Sequence, residues 1–529
     1  MPESVDEQAL FHEAIEKAVH FFQAGDLNFA EEILRYLLDA DPDNKDGIQI
    51  LGLVYHKKHE YEKALELFNR AVELDPECAD NFNNLALAQS CTGDLDGAIV
   101  SLRKAVEMTH PVLEKPKCAQ FRSNLAIQLR QFGNLDEAEL LLLEALEFSD
   151  GKDVTVWQNL GAIYGEKRDL PNATRAFEKA VELDPSNATA HVDLAYSYHL
   201  AGRWAEGWSE YEHRYESFPQ LYLYNLRYPK ETRWKRGDDL DGKTLLLFCE
   251  QGLGDALHFA RDVRLVKYFH PDCKIVLQCS PTIAGLLEKS GLGIDKFYTE
   301  PAFSVGSLFE PPPHDTHASL LSVRHIIGLD EAKEKGVANV NVVWDEANIN
   351  SGKPYLKTDA EADLGEKKEF RIGICWAGSP QHPNDSRRSL HLKHFLGVHD
   401  IPGVKLYSFQ QDKRPRAYRY NKTQIDFCDG SDGMKITDLG EFMADFDQSA
   451  ALLKEMNLVI TVDTALMHLA AGLGIETWGL IPYNPDWRWG LEGEKTEWYD
   501  SLTLFRQETL NDWSVPFQKI LERLETKIA

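Results

Sequence analysis

A unit of about 34 residues recurs through roughly the first 220 positions, and it restricts the fold more than any other feature of the chain. Residues 154–187 read VTVWQNLGAIYGEKRDLPNATRAFEKAVELDPSN, with Trp157, Leu160, Gly161, Tyr164, Ala173, Phe177, Ala180 and Pro185 at set positions. Residues 45–78 place Ile48, Leu51, Gly52, Tyr55, Ala64, Phe68, Ala71 and Pro76 in the same register. Weaker copies start near residues 11, 79, 119 and 188, and a short insertion around PVLEKPK precedes the fourth. Small residues at a helix crossing let two helices approach closely. Large residues fill the gap to the next pair, and proline closes each unit. Such a unit cannot bury its apolar face alone, so the copies must stack.

This pattern resembles the tetratricopeptide repeat, in six copies over residues 1–222. The resemblance implies an all-α solenoid whose concave groove suits peptides or protein segments. A stiff spacer, or a scaffold that pairs with a second copy of the chain, would use the same array without a ligand.

The remaining length needs a different architecture. The chain has 529 residues, too many for one core, and predicts about three or four domains. Its formal net charge of −28 argues against nucleic acid or an anionic membrane surface as partner. The opening MPESVDEQALFHEAIEKAV is acidic and amphipathic, which predicts no secretory leader. No run approaches the roughly 20 apolar residues of a membrane span. The eight cysteines are scattered without a CxxC pair, so thiols in a reducing, cytoplasmic setting are expected rather than disulfides or a zinc site.

From residue 240 strands and helices alternate. TLLLFC, KIVLQC and KFYTE read as strands, with helices at ALHFARDVRLVKYF and PTIAGLLEKSG between them. Residues 346–369 are polar and aperiodic and read as a linker. Alternation restarts with strands FRIGICW, KLYSFQ, NLVITV and TWGLIP and helices LHLKHFLGV, FDQSAALLKEM and VPFQKILERLETKI. Two doubly wound units, residues 223–345 and 370–529, predict two Rossmann-like lobes facing a cleft beyond the carboxyl ends of their strands.

Three segments carry residues suited to chemistry. In NLVITVDTALMHLAAG, Asp463 is expected to cap a helix. The N–H groups of Thr464, Ala465 and Leu466 would then face a diphosphate, with His468 one turn on. In CEQGLGDALHFA, Gly252 and Gly254 suit a tight turn, Gln251 precedes them, and Asp255 is placed to accept a proton. In WAGSPQHPNDSRRSL, Arg387, Arg388 and Ser389 follow Trp376 and a strand end, where guanidinium forks suit phosphate. For each, a capped helix or a solvated loop without ligand is the structural alternative. A second basic run, Lys413, Arg414, Arg416, Arg419 and Lys422, reads as a solvated face. GLGDAL is not a GxGxxG, so a dehydrogenase is disfavoured.

Five segments in order, EQGLGDALHFARDVRL, ICWAGSPQHPNDSRRSL, YSFQ, TVDTALMHLAAGLG and IPYNPDWRWG with WYDSLTLFRQ, resemble heptosyltransferase-type glycosyltransferases of the GT-B fold. The resemblance is strongest to the bacterial branch in which tetratricopeptide repeats precede the transferase, and AGRWAEGWSEYEHRY is similar to its junction. It implies Asp255 as catalytic base. It implies Asp463, Thr464, Ala465 and His468 at the nucleotide diphosphate, with Arg387, Arg388 and Ser389 contributing phosphate contacts. Gln251, Gly252, Gly254, Trp376, Gln410 and Trp487 would line the cleft, although Trp487 and Trp489 read equally as core. Ala465 stands where many relatives have glycine, and Gln411 where a basic residue is common. The implied activity is inverting, metal-independent transfer from a nucleotide sugar to a protein Ser or Thr, such as flagellin, held by the repeats. A glycolipid or lipopolysaccharide-core acceptor, or an inactive repeat scaffold, is the alternative.

Overall fold

The computed structural model describes residues 5–299 except 220, 222, 223, 225 and 226, residues 311–328, residues 352–411 except 383, and residues 435–528. The basic run from Lys413 to Lys422 and residues 346–351 of the expected linker lie outside these. The chain divides into two compact units, Met1–Ala190 and His191–Ala529.

The first unit is built from antiparallel helix pairs: α1 (Val5–Ala24) with α2 (Leu27–Ala40), α3 (Lys45–Lys57) with α4 (Tyr61–Leu74), and α5 (Ala79–Thr92) with α6 (Leu95–Met108). α7 (Lys115–Phe132) pairs with α8 (Leu135–Phe148), and α9 (Val154–Glu166) with α10 (Leu170–Leu183). A sixth pair, α11 (Ala188–Leu200) and α12 (Trp204–Tyr211), follows. Polar caps start several of the helices: Asp26 accepts from the Phe29 N–H at 3.3 Å, Asn44 from Gly47 at 2.9 Å and Asp94 from Gly97 at 2.9 Å. The crossings confirm the role of the small residues. A Cβ on Gly52 would overlap the Phe68 ring, and one on Gly161 the Phe177 ring. Each glycine lets the two helices of its own repeat close onto a buried phenylalanine.

The second unit carries two wholly parallel sheets, as expected of two Rossmann-like lobes. The first orders β3 (Lys296–Thr299), β2 (Lys274–Cys279), β1 (Thr244–Phe248) and β4 (Thr316–Ser319). The second orders β10 (Leu502–Arg506), β9 (Thr477–Ile481), β8 (Leu458–Val462), β5 (Phe370–Cys375), β6 (Val404–Ser408) and β7 (Ile436–Asp438). Sequence patterning did not assign β4, β7 or β10, and all three are edge strands. An edge strand is covered less completely than a central one, so its sequence need not be continuously apolar. ITD shows this, with two of its three residues exposed; THAS is largely buried, and its polar side chains are paired instead, His317 with Thr232 and Ser319 with Glu250.

Two expected helices are not continuous. ALHFARDVRLVKYF divides into Leu253–Phe259, a 3₁₀ turn Ala260–Asp262, and Val263–Phe269. LHLKHFLGV is a 3₁₀ turn, Leu392–Phe395, and a single α-turn, Leu396–His399. The first break is tertiary. Arg261 and Asp262 are buried there, Arg261 bonding the Trp498 carbonyl and Asp262 pairing with Arg324.

The sixth repeat joins the core of the second unit. Trp208 on α12 packs edge-on to Trp487 at 5.4 Å and to Phe259 at 5.7 Å, and Trp204 lies 5.6 Å from Trp498. The described part of the linker is also fastened down. The N–H groups of Tyr355 and Leu356 both donate to the Gly472 carbonyl, at 2.9 and 3.0 Å, and both side chains are buried.

Candidate functional site

The site forms where the loop after β1 meets the start of the helix after β8. β1 ends at Phe248, and the chain turns through Glu250, Gln251 and Gly252 into the helix Leu253–Phe259. The left-handed turn residue is Gln251, at φ 63°, and not a glycine. Gly252 has φ −83°. An L-residue in this conformation costs about 1–2 kcal/mol. Gln251 is held there by a 2.7 Å bond from its Nε2 to the Tyr211 hydroxyl of α12. Gly254 has a different use. A Cβ there would stand 3.1 Å from His468 Cδ2 and 3.4 Å from Ala465 Cα, so glycine lets the two lobes touch. Ala465 presents its backbone at that contact.

The helix Ala465–Gly472 begins differently from the expectation. Its N-cap is Thr464, in extended conformation, and no side chain caps it; Asp463 lies one residue further out. The Asp463 carbonyl accepts a 2.9 Å bond from Arg388 Nη1. The Arg388 guanidinium also lies over Gly378, where a Cβ would fall 2.5 Å from Nη2. Arg388 Nε is buried and has no hydrogen-bond partner among the described residues. Arg387, beside it, is half-buried. Ser389 accepts from the Gly378 N–H at 3.0 Å and donates to Asp385 at 2.6 Å, so it braces the loop. Gln410 is also a brace: its Oε1 accepts from the Trp376 and Ala377 N–H groups at 3.3 and 3.0 Å, and its Nε2 donates to the Ala377 carbonyl at 3.1 Å. Trp376 is buried. Gln411 donates to the Met443 carbonyl at 2.6 Å.

Asp255 is tied at both oxygens. Oδ2 accepts the Gly252 N–H at 3.0 Å, and Oδ1 accepts Arg488 Nη2 at 2.5 Å. Arg488 also binds Asp486 through Nη1 at 2.9 Å and stacks on Trp487 at 4.2 Å. Its Nε is a second buried guanidinium nitrogen without a partner among the described residues. Sequence reasoning missed Arg488. The available signal was a charge inside the aromatic run NPDWRWG, since a buried charge must be paired. Trp487 is core, packed among His199, Trp204, Trp208 and Trp498, and does not line the cleft.

His468 is buried, and its Nδ1 meets the Tyr499 hydroxyl at 2.8 Å. The same hydroxyl meets His258 Nδ1 at 3.0 Å. Burial and nearby arginines push both imidazoles well below their ordinary range, so both are neutral. One hydroxyl hydrogen cannot serve both rings. His258 Nε2 is buried without a partner among the described residues. A bare lone pair there is less costly than an orphaned N–H. His258 therefore donates from Nδ1 to Tyr499; the Tyr499 hydrogen is better placed for His468 Nδ1 at 2.8 Å than for the Tyr355 hydroxyl at 3.5 Å, which leaves the His468 proton on Nε2. That nitrogen adjoins the Cδ2 edge facing Gly254.

The Asp463 carboxyl is pushed up to about 6, first by burial and then by the Asp486 carboxylate, against the pull of Arg388 and Arg488. The sign follows from the raised value. The ionised form is disfavoured in the folded state, so stability rises as pH falls through about 6 toward 4. Asp463→Asn is expected to stabilise the protein by about 1–3 kcal/mol at pH 7.5, and the gain vanishes below about pH 4. Urea midpoints at both pH values check this; equal midpoints for variant and parent at pH 7.5 would remove the burial argument.

Family models for tetratricopeptide repeats match residues 50–78, 83–153 and 159–220. The model for glycosyltransferase family 9 (heptosyltransferase) matches residues 434–506. The chain joins tetratricopeptide repeats to a glycosyltransferase family 9 domain. The matched residues of that domain include Asp463, Thr464, Ala465, His468 and Arg488. Asp255 and Arg388 lie outside them and are brought in by the fold. Protein FlbA of Caulobacter vibrioides is 23% identical over 497 residues, which span 92% of this chain and 73% of FlbA. The tetratricopeptide repeat protein 36 homolog of Nematostella vectensis is 29% identical over 86 residues, 15% of this chain and 48% of that protein. A solved Pseudomonas aeruginosa pilF structure covers 42% of this chain and 99% of its own, at 16% identity and a TM-score of 0.36. No helix among the described residues is long and apolar enough to cross a membrane.

Proposed function

We propose that the protein transfers a sugar from a nucleotide-sugar donor to an acceptor hydroxyl, with inversion at the anomeric carbon. The observation carrying this is the meeting of a carboxylate, two arginines and an uncapped helix N-terminus at one contact between the lobes. The donor diphosphate docks at the start of the helix Ala465–Gly472, near Thr464 and Arg388, where N–H groups and the helix dipole favour an anion. The acceptor oxygen attacks the anomeric carbon as the bond to the diphosphate breaks. The nucleoside diphosphate leaves with the electron pair, and Asp255 takes the acceptor proton. The arginines and helix dipole stabilise the leaving group, which is the role a divalent cation would otherwise fill.

The acceptor in this reading is a Ser or Thr of a protein such as flagellin, held by the repeat groove. The tetratricopeptide array supports it, because such arrays present extended surfaces to protein segments. All seven described cysteines are free thiols, which supports a reducing cytoplasm.

A thermal-shift screen against nucleoside diphosphates and sugar nucleotides, with and without EDTA, tests the donor. One nucleotide family should raise the melting temperature, by mass action on the native state. EDTA should leave that rise unchanged, and Thr464→Ala with Arg388→Ala should abolish it. No rise with any nucleotide at millimolar concentration would favour the inactive-scaffold reading instead.

A further inference from the structure

We infer that Arg488 is a donor-operated switch on Asp255: it holds the carboxylate in the free protein and transfers to the donor diphosphate when the donor binds. The inference rests on the transferase reading above. It adds to it a second diphosphate-binding arginine and a reason for the donor to bind first.

The argument begins with hydrogen-bond capacity. Both Asp255 oxygens already accept, one from the Gly252 N–H at 3.0 Å and one from Arg488 at 2.5 Å. The first bond is internal to the glycine loop and remains whether or not a ligand is present. The second comes from the other lobe. So Oδ1, the oxygen free to turn toward an acceptor, faces a guanidinium instead. A base in that position is held away from its task until the guanidinium leaves.

The second step concerns where the guanidinium goes. Arg488 is over nine-tenths buried, its side chain 8% exposed, and its Nε has no partner among the described residues. The Arg388 side chain is 15% exposed, and its buried Nε makes no hydrogen bond among the described residues, lying 3.8 Å from Asp385 Oδ1. Other arginines of the chain, Arg261 and Arg371 among them, also keep a buried guanidinium nitrogen without a hydrogen bond among the described residues; what sets Arg388 and Arg488 apart is their place. They flank one segment. Arg388 binds the Asp463 carbonyl at 2.9 Å, and both arginines act on the Asp463 carboxyl. Asp463 adjoins Thr464, where the uncapped helix begins. A diphosphate at that helix start would satisfy the orphaned donors of both arginines through its bridging and terminal oxygens. It is a better partner for Arg488 than a single carboxylate, because it carries more charge and more acceptors.

The third step is the exchange itself. Free protein pairs Arg488 with Asp255 and Asp486. Bound donor takes Arg488, and Asp255 Oδ1 is left open toward the acceptor. No bond is made or broken in the switch beyond hydrogen bonds. It also guards the donor: with Asp255 covered until the diphosphate is seated, the base is exposed only in a site that water no longer fills.

Competition between a carboxylate and a diphosphate for one guanidinium has a signature that a purely structural arginine lacks. Removing the carboxylate should tighten the diphosphate. The test is calorimetric titration of the full-length protein with UDP, GDP, ADP, CDP and dTDP, followed by the best binder on Asp255→Asn, Arg488→Gln, Arg488→Lys and the double variant D255N/R488Q. Asp255→Asn is expected to bind about 5–10-fold more tightly than wild type, and Arg488→Gln at least about 10-fold more weakly, with partial recovery in Arg488→Lys. The double variant should bind like Arg488→Gln alone, because the gain from Asp255→Asn needs the arginine. Unchanged or weaker binding in Asp255→Asn, with wild type binding normally, overturns the switch and leaves the transferase reading standing. No binding of any nucleoside diphosphate by wild type overturns both. Asp255 is partly exposed, 23% at its side chain, so its asparagine variant keeps the test informative even if Arg488→Gln folds poorly.

Discussion

Replacing Asp255 by asparagine is expected to lower the turnover of glycosyl transfer by about 10²–10⁴-fold, the range of a lost general base. The fold should survive. Asparagine keeps an oxygen for the Gly252 N–H, and the position is at the surface of the cleft. The measurement is a single-turnover assay with saturating sugar nucleotide, alongside a melting curve. A variant that melts like wild type but fails to transfer supports proton abstraction at this carboxylate. Wild-type turnover in Asp255→Asn would remove it from the chemistry and return the loop to a merely structural role. The loss should appear in kcat, while the donor binds no more weakly than to wild type.

Breaking the Arg214–Glu250 pair is expected to be the most destabilising single change in the second unit. Arg214 is fully buried and spends its donors on Glu250 at 2.7 Å, Glu212 at 2.8 Å, the Tyr211 carbonyl at 3.0 Å and the Ser322 hydroxyl at 2.8 Å. Glu250 also accepts from Ser319 at 2.7 Å, while its other oxygen is buried without a partner among the described residues. The network joins the end of the sixth repeat, β4 and the loop that carries Asp255. Arg214→Met leaves a carboxylate in the core and should cost about 3–5 kcal/mol, read as a lower urea midpoint. Adding Glu250→Gln should recover part of that loss, because the stranded charge is then gone. A single variant as stable as wild type would show that the pair is dispensable. Transfer should fall with the single variant even below its melting point, since the turn at Gln251 begins one residue after Glu250.

Much of the architecture was legible because it is periodic. The repeat positions Gly52, Phe68, Gly161 and Phe177 do in the structure what their spacing requires, since each glycine meets the phenylalanine of its own unit. The central strands β1, β5 and β8 were legible because they are buried on both faces and must be apolar throughout. The edge strands β4 and β7 escaped notice because nothing forces their sequences to be apolar. Within the site, the helix start at Thr464 and the loop at Gly252–Asp255 were visible as short segments of strained or capping chemistry. Their details were not: the left-handed residue is Gln251, and its conformation depends on Tyr211 of a distant helix.

What the chain settled by itself was therefore local: the period of the repeats, the alternation of strand and helix, and the residue types at two loop ends. What only tertiary structure decided was which charges meet. Asp255 and Arg488 lie 233 positions apart, and no local pattern in either segment refers to the other. Trp487 could face a cleft or a core on its sequence alone, and the sixth repeat's tryptophans placed it in the core. Periodicity follows from short-range geometry along one element. Pairing of buried charges follows from how whole elements pack, because the desolvated group must find its partner wherever the fold brings one.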